Sequence, residues 1–262
     1  MILHRECPLC GSKILKGFAI DTLRKGPHIS RVKCVNCNLV FANPMADEKE
    51  LESYYNNYYE KEHYEAVNYK QLISEHFIRI STLNEESIRK EAVFLKLLGG
   101  GTRFLDVGCG LGLGLAYANQ MNCELFATEF DSGALEFVKS HFPVTTFHGD
   151  IWEANYPDST FDFIHISHVI EHVLDPIAYI QEMKRILKPG GHLAIGTPNF
   201  SSNLYKIHRW VKLLKLEVPD IIDGVEHTFL FPKELLQKIC EEQGFNVVQH
   251  FTQNYGEKLS NL

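Results

Sequence analysis

Phe104-Leu-Asp-Val-Gly-Cys-Gly-Leu-Gly-Leu-Gly114 is the stretch on which the reading of the fold turns. Residues 104–107 have the character of a short buried strand, and a helical pattern over 113–121 opens directly after the last turn glycine. Between them Gly108, Gly110 and Gly112 allow the backbone to turn tightly and approach a ligand closely at the carboxyl end of a strand. A dinucleotide fingerprint needs G-x-G-x-x-G. Counted from Gly108, Gly110 or Gly112, the sixth position is Leu113, Leu115 or Tyr117, so every register fails.

Working outward, strand patterns at 124–129, 144–148, 161–167 and 192–196 alternate with helical patterns at 133–141 and 177–187. Lys188-Pro189-Gly190-Gly191 reads as the stop of the last of these helices. A further helix at 235–243 and a strand at 245–251 follow. Strands separated by helices of this length predict an α/β fold, doubly wound, with a mostly parallel sheet. The chain divides into a cysteine-bearing knuckle at 1–42, a tyrosine-rich helical lid or linker at 43–98, and the α/β core at 99–262 with an insertion at 200–225.

The composition suits an ordinary soluble globular protein: 262 residues, 45% hydrophobic and 23% charged. The apolar runs stop short of the roughly 18 residues that a membrane span needs. MILHRECPLC has no signal-peptide pattern, which together with the odd count of seven cysteines predicts a cytoplasmic protein with reduced thiols. A net charge of −7 argues against tracking a nucleic-acid backbone, so no nucleic-acid partner is expected.

Cys7-x-x-Cys10 and Cys34-x-x-Cys37 are two pairs of one spacing with 23 residues between them. Four soft ligands in this arrangement predict a tetrahedral zinc ion, structural because four thiolates leave no open position. Cys109, Cys123 and Cys240 sit in apolar patterns and read as small core residues.

The glycine stretch has the form D-x-G-x-G-x-G, carried by Asp106, Gly108, Gly110 and Gly112, and here the chain resembles the class I S-adenosylmethionine-dependent methyltransferases. The resemblance runs over about residues 100–252 and includes Arg185-Ile-Leu-Lys-Pro-Gly-Gly-His-Leu193. It implies a Rossmann-like fold and S-adenosylmethionine as cofactor, with S-adenosylhomocysteine as product. The glycine loop would then lie under the methionine part, and Asp106 would help to order its ammonium group. Glu129, ending the second strand, can accept two hydrogen bonds from a ribose diol. Asp150 would meet the adenine amino group, although alone it reads equally as a helix N-cap. Phe130, Ile151 and Ser167 are the accompanying cofactor-lining positions that the resemblance implies.

After the fourth strand comes His168-Val-Ile-Glu171-His172-Val-Leu-Asp175-Pro176. If this turn is helical, His168, Glu171, His172 and Asp175 share one face. Three readings stand. His172 is a general base for an acceptor hydroxyl. Or Glu171, His172 and Asp175 hold a divalent ion. Or the group is structural, with Asp175 starting a helix before Pro176. His227, in a Glu-His pair after the fifth strand, is a second candidate base or a hydrogen-bonded loop residue.

In the insertion, Leu204, Ile207, Val211 and Leu214 form a helical stripe flanked by Lys206, His208, Arg209, Lys212 and Lys215. It reads as an amphipathic lid, or as a surface for a phosphorylated acceptor or an anionic carrier. Tyr54, Tyr55, Tyr58, Tyr59, Tyr64 and Tyr69 read as packing surface or as a lid over cofactor and acceptor. The combination of knuckle, connector, lid and core is similar to bacterial enzymes that methylate sugars for surface polysaccharides. The expected activity is O-methylation of a sugar or sugar-phosphate. A phenolic or quinone-like acceptor is the alternative, and a non-catalytic cofactor-binding partner subunit is a reading of another class.

Overall fold

The computed structural model describes residues 1–18, 30–55, 69–84, 86, 96–201 and 227–249, which form two compact units. The insertion stripe and most of the tyrosine-rich stretch lie outside the described residues.

The first unit comprises Met1–Ala46 and Pro198–Leu262. Its strands β1 (Leu15–Phe18), β2 (Arg31–Cys34) and β3 (Val40–Ala42) make an antiparallel meander. A fourth strand pairs on β3 from far along the sequence, Phe229–Leu230, and becomes β9 in chain order. Leu39, Val40, Phe41, Met45, Phe229 and Phe231 are buried in this unit. The two CxxC turns are built alike. Gly11 N–H donates to the Cys7 carbonyl at 2.9 Å and Asn38 N–H to that of Cys34 at 3.0 Å. Each cysteine pair is followed by a left-handed residue, Gly11 at φ 66° and Asn38 at φ 65°. Glycine and asparagine are the residues that enter this region at least cost.

The second unit, Asp47–Thr197, is the α/β core. Helices α1 (Glu48–Tyr55) and α2 (Tyr69–Thr82) come before its sheet. Then follow β4 (Arg103–Val107), α3 (Leu113–Gln120), β5 (Glu124–Glu129), α4 (Ser132–His141) and β6 (Val144–His148). The unit is completed by β7 (Phe161–Ser167), α5 (Pro176–Ile186) and β8 (Leu187–Gly196). The five strands are all parallel in the order β6-β5-β4-β7-β8. This is the doubly wound, Rossmann-like arrangement expected from the alternating patterns.

The helices form for readable reasons. Asp131 caps α4 by accepting the Ala134 N–H at 2.8 Å. Along α5, Tyr179, Ile180, Met183 and Ile186 recur at i, i+1, i+4 and i+7, and all are buried. Phe104, Leu115, Ala118, Leu125, Leu135, Val138 and Phe163 form one core between sheet and helices. Each of the leucine, valine and phenylalanine side chains, fully buried, contributes about 1.5–3 kcal/mol relative to exposure.

Two expectations need correction at their edges. The Lys188–Gly191 stop lies inside the span of β8, because Leu187 already pairs with Phe161 and an irregularity then restores the register at Phe163 and His192. The expected strand at 245–251 is irregular chain over 245–249, the part that is described, beyond helix α6 (Lys233–Glu242).

Candidate functional site

Because the five strands are parallel, Val107, Glu129, His148, Ser167 and Gly196 end at one edge of the sheet. From β4 the chain builds β5 and β6 on one side, then returns to build β7 and β8 on the other. The chain thus reverses direction across the sheet between β4 and β7, the switch point at which open α/β sheets bind ligands. The residues singled out between 106 and 172 all lie at this edge or in the loops that leave it.

In the loop after β4, Gly108, Gly110 and Gly112 all have positive φ (63°, 51° and 80°), which explains the glycines directly. A Cβ on Gly108 would strike the Val169 side chain, so the glycine also lets the loop lie against the turn after β7. Glu129 holds the loop from the next strand. Its Oε2 accepts the Gly110 N–H at 2.8 Å, and its Oε1 accepts those of Phe130 and Asp131 at 2.8 and 3.1 Å. Burial raises the Glu129 carboxyl above the ordinary glutamate value against the pull of those three donors. Cys109 is buried, and burial pushes its thiol well up, with the charges of Glu129 and Asp106 adding to the effect. It is a core residue.

Asp106 is buried in β4 and its Oδ1 lies 2.7 Å from Nδ1 of His165 on β7. Sequence reading missed His165. The available signal was a polar residue interrupting the apolar run Phe163-Ile164-His165-Ile166.

After β6, Asp150 carries a buried Oδ1 with no hydrogen-bond partner among the described residues. Burial raises its carboxyl above the ordinary aspartate value. Its N–H donates to Glu153 Oε2 at 3.0 Å, and Ile151 beside it is fully buried. A buried acceptor lacking a donor costs about 1–3 kcal/mol, and an amino group would relieve it. Phe130, after β5, is stacked on Tyr55 of α1 at 6.4 Å and 25°. Ser167 ends β7, its Oγ close to Gly196 on the neighbouring strand.

The segment from 168 to 175 is a turn and not a helix, so the four polar residues do not share a helical face. Glu171 is their buried centre. Its Oε1 lies 3.2 Å from His168 Nδ1 and 3.8 Å from His172 Nε2, and its Oε2 accepts from Thr197 Oγ1 at 2.8 Å. Burial pushes the Glu171 carboxyl up, but the close His168 imidazole and that of His172 hold it below the ordinary value. The Glu171 carboxylate in turn raises His168. The carboxylate part of this stabilisation, present above the unfolded glutamate value, is lost as pH falls through the lowered folded value. The imidazole part is full below the unfolded histidine value and is lost as pH rises through the raised one. His168 also takes φ 57°, a costly conformation for a non-glycine residue. His172 is largely buried, and its ring meets Tyr55 edge-on at 6.0 Å.

Asp175 stands apart from this group. Its Oδ1 accepts the N–H groups of Ile177 and Ala178 at 3.1 and 3.0 Å, capping α5 with Pro176 at the first helical position. Of the readings open for Asp175, this is the helix start before Pro176. Asp175→Ala is expected to lower unfolding free energy by about 1 kcal/mol in urea titrations while leaving kcat within about twofold. A larger loss of kcat would give Asp175 a role in the chemistry.

The remaining predicted residues lie in the first unit. The His227 carbonyl accepts from Nη1 of the buried Arg31 at 2.6 Å. Cys7 and Cys37 approach to 3.7 Å, Cys10 and Cys34 to 3.6 Å, and all four sulfurs lie within 4.8 Å of one another. A tetrahedral ion with zinc–sulfur bonds of about 2.3 Å needs sulfur separations of roughly 3.8 Å, so the four cysteines fit a zinc ion. Asn36 Nδ2 donates to Cys10 Sγ at 3.6 Å, the kind of outer contact that orients a thiolate.

Comparison with known proteins agrees with this geometry. A methyltransferase-domain family profile matches residues 66–250. A ubiquinone biosynthesis O-methyltransferase of Vibrio cholerae is 31% identical over 169 residues, 59% of this chain and 68% of that protein. A demethylmenaquinone methyltransferase of Staphylococcus aureus is 32% identical over 173 residues, 58% of this chain and 72% of that one. With a Mycolicibacterium smegmatis protein named for S-adenosylmethionine-dependent methyl transfer the identity is 31%, and the chain spans only 44% of its length. Among solved structures, an S-adenosylmethionine-dependent methyltransferase from Mesorhizobium loti shares the fold, with a TM-score of 0.50 and 16% identity over 69% of this chain and 90% of that one. No helix among the described residues is long and apolar enough to cross a membrane.

Proposed function

The chain belongs to the class I S-adenosylmethionine-dependent methyltransferases, and on that footing we propose that it methylates a hydroxyl oxygen of a small phenolic or quinol-like acceptor, with His172 as general base. The observation that carries the reading is the buried Glu171, which bears His168, Thr197 and, at 3.8 Å, His172 on the turn that lies against the glycine loop. In this reading Gly108, Gly110 and Gly112 run under the methionine part of the cofactor, and Glu129 accepts from the ribose diol. Asp150 accepts from the adenine amino group, for which its unpartnered buried oxygen is suited. Phe130, Ile151 and Ser167 line the same edge.

When bound, S-adenosylmethionine supplies a sulfonium methyl that an aligned oxygen can take. The protein's contribution is then alignment and proton removal. Of the imidazoles in this unit, His168 lies 3.2 Å from Glu171 Oε1 and is raised toward its charged form, which leaves less of it neutral to take a proton. His172 is largely buried, keeps no close hydrogen bond to the carboxylate, and would be stabilised as imidazolium by it. His227 remains the second candidate base. Tyr55, with its ring beside both Phe130 and His172, suits a flat aromatic acceptor, and the two quinone-named relatives favour the same class. A sugar-phosphate acceptor is the second reading, favoured by the basic stripe at Lys206, Arg209, Lys212 and Lys215.

The test is S-adenosylhomocysteine release by purified protein against catechols and quinols, nucleotide sugars, and tRNA. Turnover on phenols, with kcat lowered about 100-fold or more in His172→Ala and cofactor affinity retained, is the expected result. Turnover on nucleotide sugars alone overturns the phenolic assignment. An unchanged kcat in His172→Ala removes it as the base.

A further inference from the structure

We propose that His165 is a positioning residue for cofactor capture, acting through Asp106, an inference that rests on the cofactor site proposed above. The two residues are register neighbours on adjacent parallel strands, so their side chains leave the sheet side by side. The Nδ1···Oδ1 separation is 2.7 Å, with side-chain exposures of 13% for His165 and 4% for Asp106. Phe104 stacks on the imidazole at 6.1 Å and 22°, fixing the plane of the ring.

The helix turn that packs on this pair is also specified. Gly114 lies in the first turn of α3, and a Cβ there would come 2.6 Å from Asp106 Oδ2 and 2.8 Å from His165 Nδ1. Alanine is ordinarily preferred to glycine inside a helix by roughly 1 kcal/mol. The glycine is therefore explained by the pair packed beneath it. Asp106 is held by the imidazole, and a helix turn covers the two side chains together as closely as its backbone allows. Two residues beyond Asp106 the chain enters the glycine loop at Gly108. An aspartate buried this deeply acts by setting the start of that loop, and His165 sets the aspartate.

A buried carboxylate that loses its hydrogen-bonding partner must be left unsatisfied, protonated or moved. His165→Phe keeps a ring for Phe104 to stack on and removes the hydrogen bond. His165→Asn keeps a donor close to where Nδ1 stands. The experiment is calorimetric titration of each folded variant with S-adenosylhomocysteine, alongside KM for S-adenosylmethionine and kcat, with circular dichroism and melting curves to verify the fold.

The expected result is a Kd and KM raised about tenfold or more in His165→Phe, with kcat changed less than about threefold and most of the affinity regained in His165→Asn. Gly114→Ala, which fills the same space from the helix side, is expected to weaken binding in the same way. Wild-type protein that binds the ligand, with His165→Phe binding equally well, overturns the positioning role alone. So does a loss in His165→Phe that His165→Asn fails to restore. Wild-type protein that does not bind the ligand overturns the cofactor reading, and this inference with it.

Discussion

Glu129→Ala is expected to raise the Kd for S-adenosylhomocysteine about 100-fold or more, the largest single effect at the cofactor edge. The carboxylate holds three backbone N–H groups, those of Gly110, Phe130 and Asp131, and so ties the glycine loop to the start of α4. Alanine leaves these donors without their acceptor, at a cost of about 1–3 kcal/mol for each that stays buried and unsatisfied. It also removes the proposed acceptor for the ribose diol. The two losses separate with Glu129→Gln. The amide keeps one oxygen acceptor but turns an NH2 group toward N–H donors, so it should bind better than alanine and worse than the wild type. Calorimetric titration gives the affinities and urea unfolding gives the stability. A Glu129→Ala protein that is folded and binds the ligand normally would remove Glu129 from the cofactor site.

The second large effect belongs to the cysteine knuckle. Purified protein is expected to carry about one zinc ion per chain by plasma mass spectrometry, and Cys34→Ser should abolish it. Cys34 ends β2 and Cys7 lies in the turn before β1, both buried, in a unit whose first three strands are no longer than four residues. Such a segment depends on its metal, because ligand binding there is also folding free energy. Hydrogen exchange should show lost protection across 7–18 and 31–42 in Cys34→Ser and in chelator-treated protein. Metal-free protein with unchanged protection would make the four thiols ordinary packing residues.

The pattern Asp106-x-Gly108-x-Gly110-x-Gly112 was legible without coordinates because its meaning is local. Positive φ at three successive glycines is a property of one loop, and the alternation of strand and helix needs only near neighbours. The four cysteines were legible for a similar reason, since each CxxC turn is local and only the meeting of the two pairs is long-range.

Other residues needed the folded chain. Residues 168–175 carry a spacing compatible with a helical face, yet the chain turns there and Asp175 goes to its own helix cap, a competition that residue spacing cannot rank. His165 was invisible because its partner is 59 residues away and meets it only through the pairing of β4 with β7. Phe229–Leu230 likewise became a strand because β3 offered an edge, and two residues carry no periodicity of their own. Turns, caps and metal pairs are encoded in short-range sterics and hydrogen bonds. Strand register is the outcome of burying one face of a whole sheet, so which side chains stand opposite one another follows from the assembled core.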